Sequence, residues 1–339
     1  MRLDVEKSRE TVQRVLRAYG VPAAFASTQT DLLLEAQLRG YSSHGLLRLP
    51  RIIERIVNRV SSPTARGTHE WVSDSLLRVD GERGLGPVVA TAALDALKER
   101  VRRSGIALAA IRNSNHIGML AWYGDYVVRD GLILIAATTS EALVHPWGGR
   151  RALIGTNPIC IAVPTAPEPL VLDMATSLVS MGKIHDHANR GQPIPEGWAL
   201  DAQGNPTTDA AAAKSGALAP FGGAKGYALG LALQLMVTTL AGSAVGTTVR
   251  GTLDSDSVCN KGDLFIVISP PRNESTAAAI TAYLEEVRAS AAPDAERSVC
   301  VPGDRSREVR ARSLAEGVEV DPALWRQILA LLPESSDRE

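Results

Sequence analysis

Residues 75–113, SLLRVDGERGLGPVVATAALDALKERVRRSGIALAAIRN, carry the pattern that decides the fold. A short apolar run ends at Asp80-Gly81. A helical stretch follows from Pro87, with apolar residues at helical spacing, basic Arg102 and Arg103 near its end and Gly105 as a stop. A second apolar run then ends at Arg112-Asn113. Strand, helix, strand in this order predicts an α/β unit with helices packed on a largely buried sheet. Moving outward toward the C-terminus, MLAWYGDYVVRDG reads as a helix, and LILIAATTS, CIAVPT and LVLDMAT as strands. A helix after Ser177, a Pro/Gly-rich loop, a long apolar helix from Gly226, the strand LFIVISP and the helix TAAAITAYLEEVRAS come next. A final polar segment ends in the short helix ALWRQILALL. Toward the N-terminus the pattern is all-helical. VEKSRETVQRVLRAYG closes at Gly20, a second helix runs from Ser27 or Thr28 to Gly40, and a third lies in LLRLPRIIERIVNRV. The turn-rich SSPTARGTHE, Ser61 to Glu70, reads as a linker, which divides the chain into a helical unit over 1–70 and an α/β unit over 71–304.

Composition narrows the function. The 339 residues allow substantial cores, and a formal net charge of -1 gives no field for phosphate backbones or anionic lipid, so neither nucleic acid nor a membrane is an expected partner. The three cysteines, Cys160, Cys259 and Cys300, form no CxxC or CxxH pair, which argues against a zinc site or a disulfide framework and suits a reducing cytosol. The charged start MRLDVEKSRE lacks the apolar core of an export signal, so a cytoplasmic location is expected. Gly226 to Val249 is uncharged and long enough to span a bilayer, but Gln234, Thr238, Thr239 and Ser243 make a buried helix of a soluble protein the better reading.

Five motifs carry candidate chemistry. GERGLG before a helix resembles a dinucleotide fingerprint. However, Val89 replaces the third glycine and no acidic ribose ligand ends the next strand, so a tight turn is the expected reading. In YSSHGLLRLPR, His44 and Arg48 lie four apart beside Ser42 and Ser43. That spacing suits a proton donor next to a carboxylate clamp, and equally a helix cap with a solvated arginine. In IRNSNHIG, His116 at a strand end is an acid/base candidate, a donor to a cofactor amide, or a structural histidine. In TTSEALVHPWGGRRALIGTNPICIAVPT, the glycines and Asn157-Pro158 describe a loop bringing backbone amides to a ligand, with Asn157 expected at the substrate. In FGGAKGY, Lys225 at a helix start after two glycines offers an anion site for a pyrophosphate, against an ordinary turn. His185 and His187 lack further ligands nearby, so no metal is expected.

Taken in order, SSHGLLRLPR, SNHIG, GGRRALIGTNPI, DMATSLVSMGKI, PEGWALDAQGNPTTD, GGAKGY and VPGDRSREVRARSLAEGVEV resemble the malate/L-lactate dehydrogenase-like family, nearly end to end. The resemblance implies the non-Rossmann α/β fold of sulfolactate dehydrogenase and a helical domain built from the chain ends, with 305–339 and part of 214–250 joining residues 1–70. It also implies an intertwined homodimer. It places His44 and His116 at the reaction centre and Arg48 on the substrate, with Ser43 and His44 forming a relay if a ketimine is reduced. Ser140, Asp173, Met174, Ala175, Thr176, Lys225, Gly303, Asp304 and Arg305 fall at cofactor positions. Glu141, next to Ser140, would favour NAD over NADP by repelling a 2'-phosphate. Lys183, also counted with the cofactor positions, stands where an acidic residue is expected in members that reduce cyclic ketimines, which favours 2-hydroxy or 2-oxo acids. Ala224 and the run Lys261-Gly262-Asp263 depart from the family pattern and make the substrate pocket atypical. The expected activity is hydride transfer between nicotinamide and C2 of a 2-hydroxy/2-oxo carboxylate. Reduction of piperideine- or pyrroline-2-carboxylate is the near alternative, and a nicotinamide-binding sensor without turnover is the alternative of another class.

Overall fold

The structure, a computed structural model, describes residues 1–271, 273–290 and 298–333. In chain order it begins with β1 (Arg2–Leu3), α1 (Val5–Ala18), α2 (Ala23–Leu38) and α3 (Leu49–Val57). There follow β2 (Thr68–Trp71), β3 (Leu76–Asp80), α4 (Gly86–Ser104), β4 (Ile106–Arg112), α5 (Leu120–Val128), β5 (Ile133–Thr138), β6 (Ala142–Val144), β7 (Ile154–Gly155), β8 (Ile159–Val163) and β9 (Leu170–Met174). The remainder is α6 (Met181–Asn189), β10 (Ala199–Leu200), β11 (Pro206–Thr207), α7 (Ala210–Ala213), β12 (Ala217–Leu218), α8 (Ala224–Ala241), β13 (Asp263–Ile268), α9 (Glu274–Ala289), α10 (Asp304–Glu316), β14 (Val318–Glu319) and α11 (Pro322–Ala330).

Seven strands form the main sheet in the order β2-β3-β4-β13-β5-β8-β9. Only β3 and β4, joined through α4, run parallel; the other neighbours are antiparallel. Side-chain alternation explains why both faces are covered. Ala107, Ala109 and Ile111 of β4 and Phe265 and Val267 of β13 face α4 and α5, packing with Leu94, Leu97 and Tyr123. Their neighbours in sequence, Leu108, Leu264 and Ile266, face the opposite way and pack with Leu233 and Val237 of α8. Truncating Leu97, which is fully buried, to alanine costs about 2–5 kcal/mol.

A second core unites the chain ends. Val12, Leu16, Leu34, Leu38, Leu49 and Ile53 pack with Val318, Trp325 and Ile328. β1 pairs antiparallel with β14, and the Met1 amine donates to the Val320 carbonyl at 2.9 Å. A five-stranded sheet, β11-β10-β12-β6-β7, closes over a third core with α6 and α7.

Some details differ from the sequence reading. The linker's last residues already belong to β2, whose Thr68 pairs with Asp80, because an edge strand needs only one apolar face and leaves a weak pattern. The polar segment after residue 300 contains α10, which buries no residue and so has no apolar stripe to read. From 214–250, α8 lies against the main sheet, while 318–330 joins the helical unit. Among the described residues no helix is long and apolar enough to cross a membrane. Cys160 and Cys259 are buried free thiols and Cys300 is exposed.

Candidate active site

Gly40, at φ +78°, ends α2, and the chain makes two single 3-10 turns, Ser42–His44 and Leu46–Arg48, before α3. Gln37 organises this corner: its Oε1 accepts from Leu46 N at 3.2 Å and its Nε2 donates to Glu319 O at 2.6 Å. A side chain at Gly45 would meet that Oε1 at 2.5 Å, so the Gln37 amide could not keep this position. The tight turns put His44 and Arg48 on one side. Arg48 Nε donates to Ser43 O at 2.7 Å, and Ser43 Oγ lies 3.0 Å from His44 Nδ1.

His116 reaches the same place from the sheet. Asn113, at φ +52°, turns the chain off β4, and Asn115 then anchors the loop. Its Nδ2 donates to Ser61 Oγ and to the carbonyls of Arg83 and Gly84, and its Oδ1 accepts from Arg55 Nε at 3.0 Å. A Cβ at Gly86 would lie 2.3 Å from His116 O, so the GLG turn exists for close backbone approach to this loop. Gly118 N donates to His116 Nδ1 at 3.1 Å. The two imidazoles stack, centroids 5.5 Å apart and planes 29° from parallel.

Burial pushes the His44 imidazole down to about 4, and the Arg48 charge adds to the effect. His116 is held well below its ordinary value by burial first, then by Arg48, His44, Lys261 and Arg55. Both rings are therefore neutral at pH 7. Arg48 is itself lowered by burial and by Arg51, with Glu141 opposing.

A loop after α8 forms one wall, and α3 holds it. Arg48 Nη1, Arg51 Nη1, Arg55 Nη1 and Nη2, and Asn58 Nδ2 donate to the carbonyls of Thr252, Leu253, Asp254, Ser257 and Ser255 at 2.7–3.4 Å. Positions 48, 51, 55 and 58 share one helix face, so the loop is tied down along it. From the other side, Glu141 Oε1 accepts from Thr252 N, Thr252 Oγ1 and Leu253 N at 2.8, 3.0 and 2.9 Å. One oxygen of Glu141 is thus engaged by the loop, which leaves its second oxygen for any contact with a ribose. The departure at Lys261 and Asp263 is a buried ion pair, with Asp263 Oδ1 also accepting from Thr138 Oγ1 at 2.6 Å.

The remaining expected residues divide. Asn157 is wholly buried, with Nδ2 bonded to Gly230 O and Gln234 Oε1 and Oδ1 facing Ser140 N, so it ties a loop to α8 and is closed off from substrate. Ser140 Oγ accepts from Thr156 N at 2.9 Å, and Thr176 Oγ1 donates to Thr156 O at 2.9 Å. Asp173 Oδ2 accepts from Ala121 N at 2.7 Å at the start of α5, and burial raises its carboxyl to about 6. Met174 and Ala175 are half-buried beside it. A Cβ on Gly182 would lie 3.3 Å from Ser43, so this block adjoins the turn that carries His44. Lys183 is exposed, its amine 5.9 Å from the Trp198 ring. Asp304 is clamped by Arg288 and Arg307, which hold its carboxyl far below the usual range, whereas Arg305 beside it is exposed. Gly303, at φ +102°, turns the chain into α10. Gly222 and Gly223, both left-handed, lead into α8, whose first turn has no side-chain cap and an exposed Lys225. Free amides, two glycines and a lysine suit a pyrophosphate. Among the described residues no group of three or more His, Cys, Asp or Glu could hold a metal.

Arg55, Asn115 and Gln29, which also line the pocket, were not singled out from sequence. The spacing of Arg48, Arg51 and Arg55 on α3 was the available signal.

The sequence profile of the malate/L-lactate dehydrogenase family matches residues 3–329. The L-sulfolactate dehydrogenase of Methanothermobacter thermautotrophicus is 35% identical over 337 residues, 98% of this chain and 97% of that protein. The delta(1)-pyrroline-2-carboxylate/delta(1)-piperideine-2-carboxylate reductase of Pseudomonas aeruginosa is 34% identical over 98% of this chain and 99% of its own. Among solved structures, a dehydrogenase from Sinorhizobium meliloti superposes with a TM-score of 0.94 at 50% identity, covering 98% of both chains.

Proposed function

Because the chain belongs to the malate/L-lactate dehydrogenase family, we propose that it is an NAD(P)-dependent oxidoreductase exchanging a hydride between a nicotinamide dinucleotide and C2 of a 2-hydroxy or 2-oxo carboxylate. The observation that carries the residue assignment is the stacked pair of neutral imidazoles, His44 and His116, beside the Arg48 guanidinium.

Each ring has a different range of action. His116 Nδ1 accepts from Gly118 N, so its proton sits on Nε2, which can donate to the C2 oxygen. His44 Nδ1 faces a hydroxyl that can either donate or accept, so both tautomers are open to it. His44 can take the hydroxyl proton during oxidation and return it during reduction, with Ser43 as relay. Arg48 Nε is held by Ser43, and Nη1 is only loosely held by Thr252 at 3.4 Å, so the fork's outer edge is open to a carboxylate.

The pyrophosphate of the dinucleotide would lie at the α8 terminus with Lys225, and its nicotinamide end beside the Asp173–Thr176 block, with Arg305 as a further contact. With Glu141 engaged by the loop, the support for an NAD preference is reduced to its second oxygen, and NADH and NADPH are to be run side by side. Reduction of a cyclic ketimine is the second reading, favoured by the Pseudomonas aeruginosa relative and by the Ser43–His44 pair. The pocket wall counts against it: it carries Arg48, Arg51 and Arg55 and, among the described residues, no carboxylate to hold an iminium.

A homodimer is supported by the outward face of α8, where Leu229, Leu235 and Met236 are 37%, 50% and 38% exposed along one stripe. The buried free thiols of Cys160 and Cys259 fit a reducing, cytoplasmic setting. The deciding experiment follows NADH and NADPH oxidation with 2-oxo acids and cyclic ketimines. Turnover of 2-oxo acids supports the reading, turnover of ketimines alone reverses it, and cofactor binding without turnover leaves a sensor.

A further inference from the structure

Gly251 and Thr252, in the loop after α8, line the pocket together with His44, Arg48 and His116. The loop is tied to itself. Gly251, at φ +83°, packs so close to Cys259 that a Cβ there would meet its Cα at 2.6 Å, and Gly251 N donates to Asp254 Oδ2 at 3.1 Å. Asp254 Oδ1 accepts from Asp256 N and Ser257 N at 3.1 and 2.7 Å. This stretch is therefore a preformed turn, and its place against the pocket is set by what grips Thr252 and Leu253 from outside.

Two groups grip that pair of residues from opposite sides. Glu141 Oε1 accepts from Leu253 N at 2.9 Å, while the carbonyl of the same peptide group, Thr252 O, accepts from Arg48 Nη1 at 3.4 Å. In a trans peptide the N–H and C=O point in opposite directions, so this one planar group spans the space between carboxylate and guanidinium. Thr252 N and Oγ1 donate to the same Glu141 oxygen, and the next carbonyl, Leu253 O, accepts from Arg51 Nη1 at 2.7 Å. Glu141 is anchored in turn, because the Ser140 hydroxyl beside it accepts from Thr156 N. Among the described residues no ion pair engages Arg48 directly, and Glu141 is the carboxylate that favours its charged form. A carboxylate laid on the guanidinium itself would occupy the edge that a substrate carboxylate needs, whereas one acting through a peptide leaves that edge open. An anion at the N–H end and a cation at the C=O end polarise the peptide in the same sense, so the two bonds reinforce each other.

We propose that Glu141 is a positioning residue for the substrate clamp: by holding the Thr252–Leu253 peptide it aims the Thr252 carbonyl at Arg48 and keeps the guanidinium turned toward the substrate carboxylate. This rests on the reading above, in which Arg48 takes that carboxylate. The role runs through Oε1 and is separate from any contact the second oxygen makes with a ribose. Without the acceptor the peptide is free to rotate, and Arg48 keeps only its Nε bond to Ser43 O.

The test follows steady-state reduction of pyruvate, 2-oxobutanoate and 2-oxobutanedioate with saturating NADH or NADPH, and dinucleotide Kd by fluorescence titration, in wild type, Glu141→Ala and Glu141→Gln. Glu141→Ala should raise KM for the 2-oxo acid by ~10-fold with kcat and dinucleotide Kd within about 3-fold, the pattern of lost substrate binding. Glu141→Gln keeps an acceptor oxygen for the peptide and should return KM to within about 3-fold of wild type. A KM rise below ~5-fold in Glu141→Ala overturns the proposal, as does a loss carried mainly by kcat. A dinucleotide Kd that rises as much as KM also overturns it and puts Glu141 on the ribose. So does a Glu141→Gln enzyme as impaired as Glu141→Ala, since charge and not the held peptide would then govern binding. Should Glu141→Ala not fold, Glu141→Met, which fills the space without an oxygen, is read by the same limits. Wild-type turnover with an unmoved KM in the variants rejects this proposal alone. Wild-type turnover of none of the three acids with either dinucleotide rejects the dehydrogenase reading along with it.

Discussion

Arg48 Nε donates to the backbone carbonyl of Ser43 at 2.7 Å, which fixes the guanidinium relative to the imidazole of the very next residue, His44. The proposed carboxylate clamp and the proposed proton-handling group are thus set by one short piece of chain. Arg48→Lys should lower kcat/KM by ~100-fold, because an ammonium makes neither the Nε bond nor a forked contact with a carboxylate. Steady-state kinetics within about 3-fold of wild type would refute the clamp.

Separate His44→Ala and His116→Ala enzymes should differ in kind. The first should lose ~100-fold or more in kcat with cofactor affinity nearly intact, as expected for loss of an acid/base. The second should lose less in kcat or weaken cofactor binding. Loss of turnover in His116→Ala alone, with unchanged cofactor titration, would exchange the two roles.

The pH dependence follows from the depressed His44 value. In the oxidation direction the neutral ring is needed, so kcat/KM, which reports the free enzyme, should fall on the acid side near 4 and not near 6.5. In Arg48→Met the limb should move upward, since a repelling charge is removed, while burial keeps it below 6.5. The stability sign runs the same way: the folded ring binds its proton less readily than the unfolded one. Its contribution is therefore full above pH 6.5 and is lost as pH falls through about 4. A limb at 6.5 in the wild type would mean that the ring is solvated.

Asp173 should behave oppositely. Its carboxyl is raised from 3.8 to about 6, so the ionised group costs stability above pH 6, and that cost disappears as pH falls toward 3.8. Asp173→Asn keeps an oxygen for Ala121 N and should raise Tm at pH 8 by more than at pH 5. If the side chain only caps α5, the dinucleotide Kd should change by less than about 3-fold. A large rise in Kd would instead place the carboxylate on the cofactor.

Arg55 is 5% exposed and gives donors to Asn115 and two loop carbonyls. Arg55→Met strands these acceptors and should cost about 2–4 kcal/mol by chemical denaturation. An unchanged unfolding midpoint would show that water replaces the guanidinium.

Legibility followed local patterning. The β3-α4-β4 unit, the early helices and the apolar α8 were readable because each buries a regular stripe or alternating face. The pairing of β13 between β4 and β5 was not, since non-local register leaves no trace in one strand. His44, Arg48 and His116 could be named because histidine and arginine are chemically conspicuous. Arg55 could not, since a basic residue on a helix carries no signal until its partners, Asn115 and the carbonyls of Asp254 and Ser257, are seen. For Asn157 and Glu141, adjacency in sequence to a cofactor motif does not say which way a side chain points: one bonds to α8, the other, through one oxygen, to the 252–253 loop.

The pairing of β1 with β14 has a consequence for biosynthesis. His44 and Arg48 follow α2, whose core is completed only when Val318, Trp325 and Ile328 arrive. On a ribosome the sheet strands through β13 emerge first and can pair while the corner bearing His44 and Arg48 still lacks its lining. Activity in a nascent chain should thus be the last property acquired, long after most of the polypeptide has reached its final arrangement.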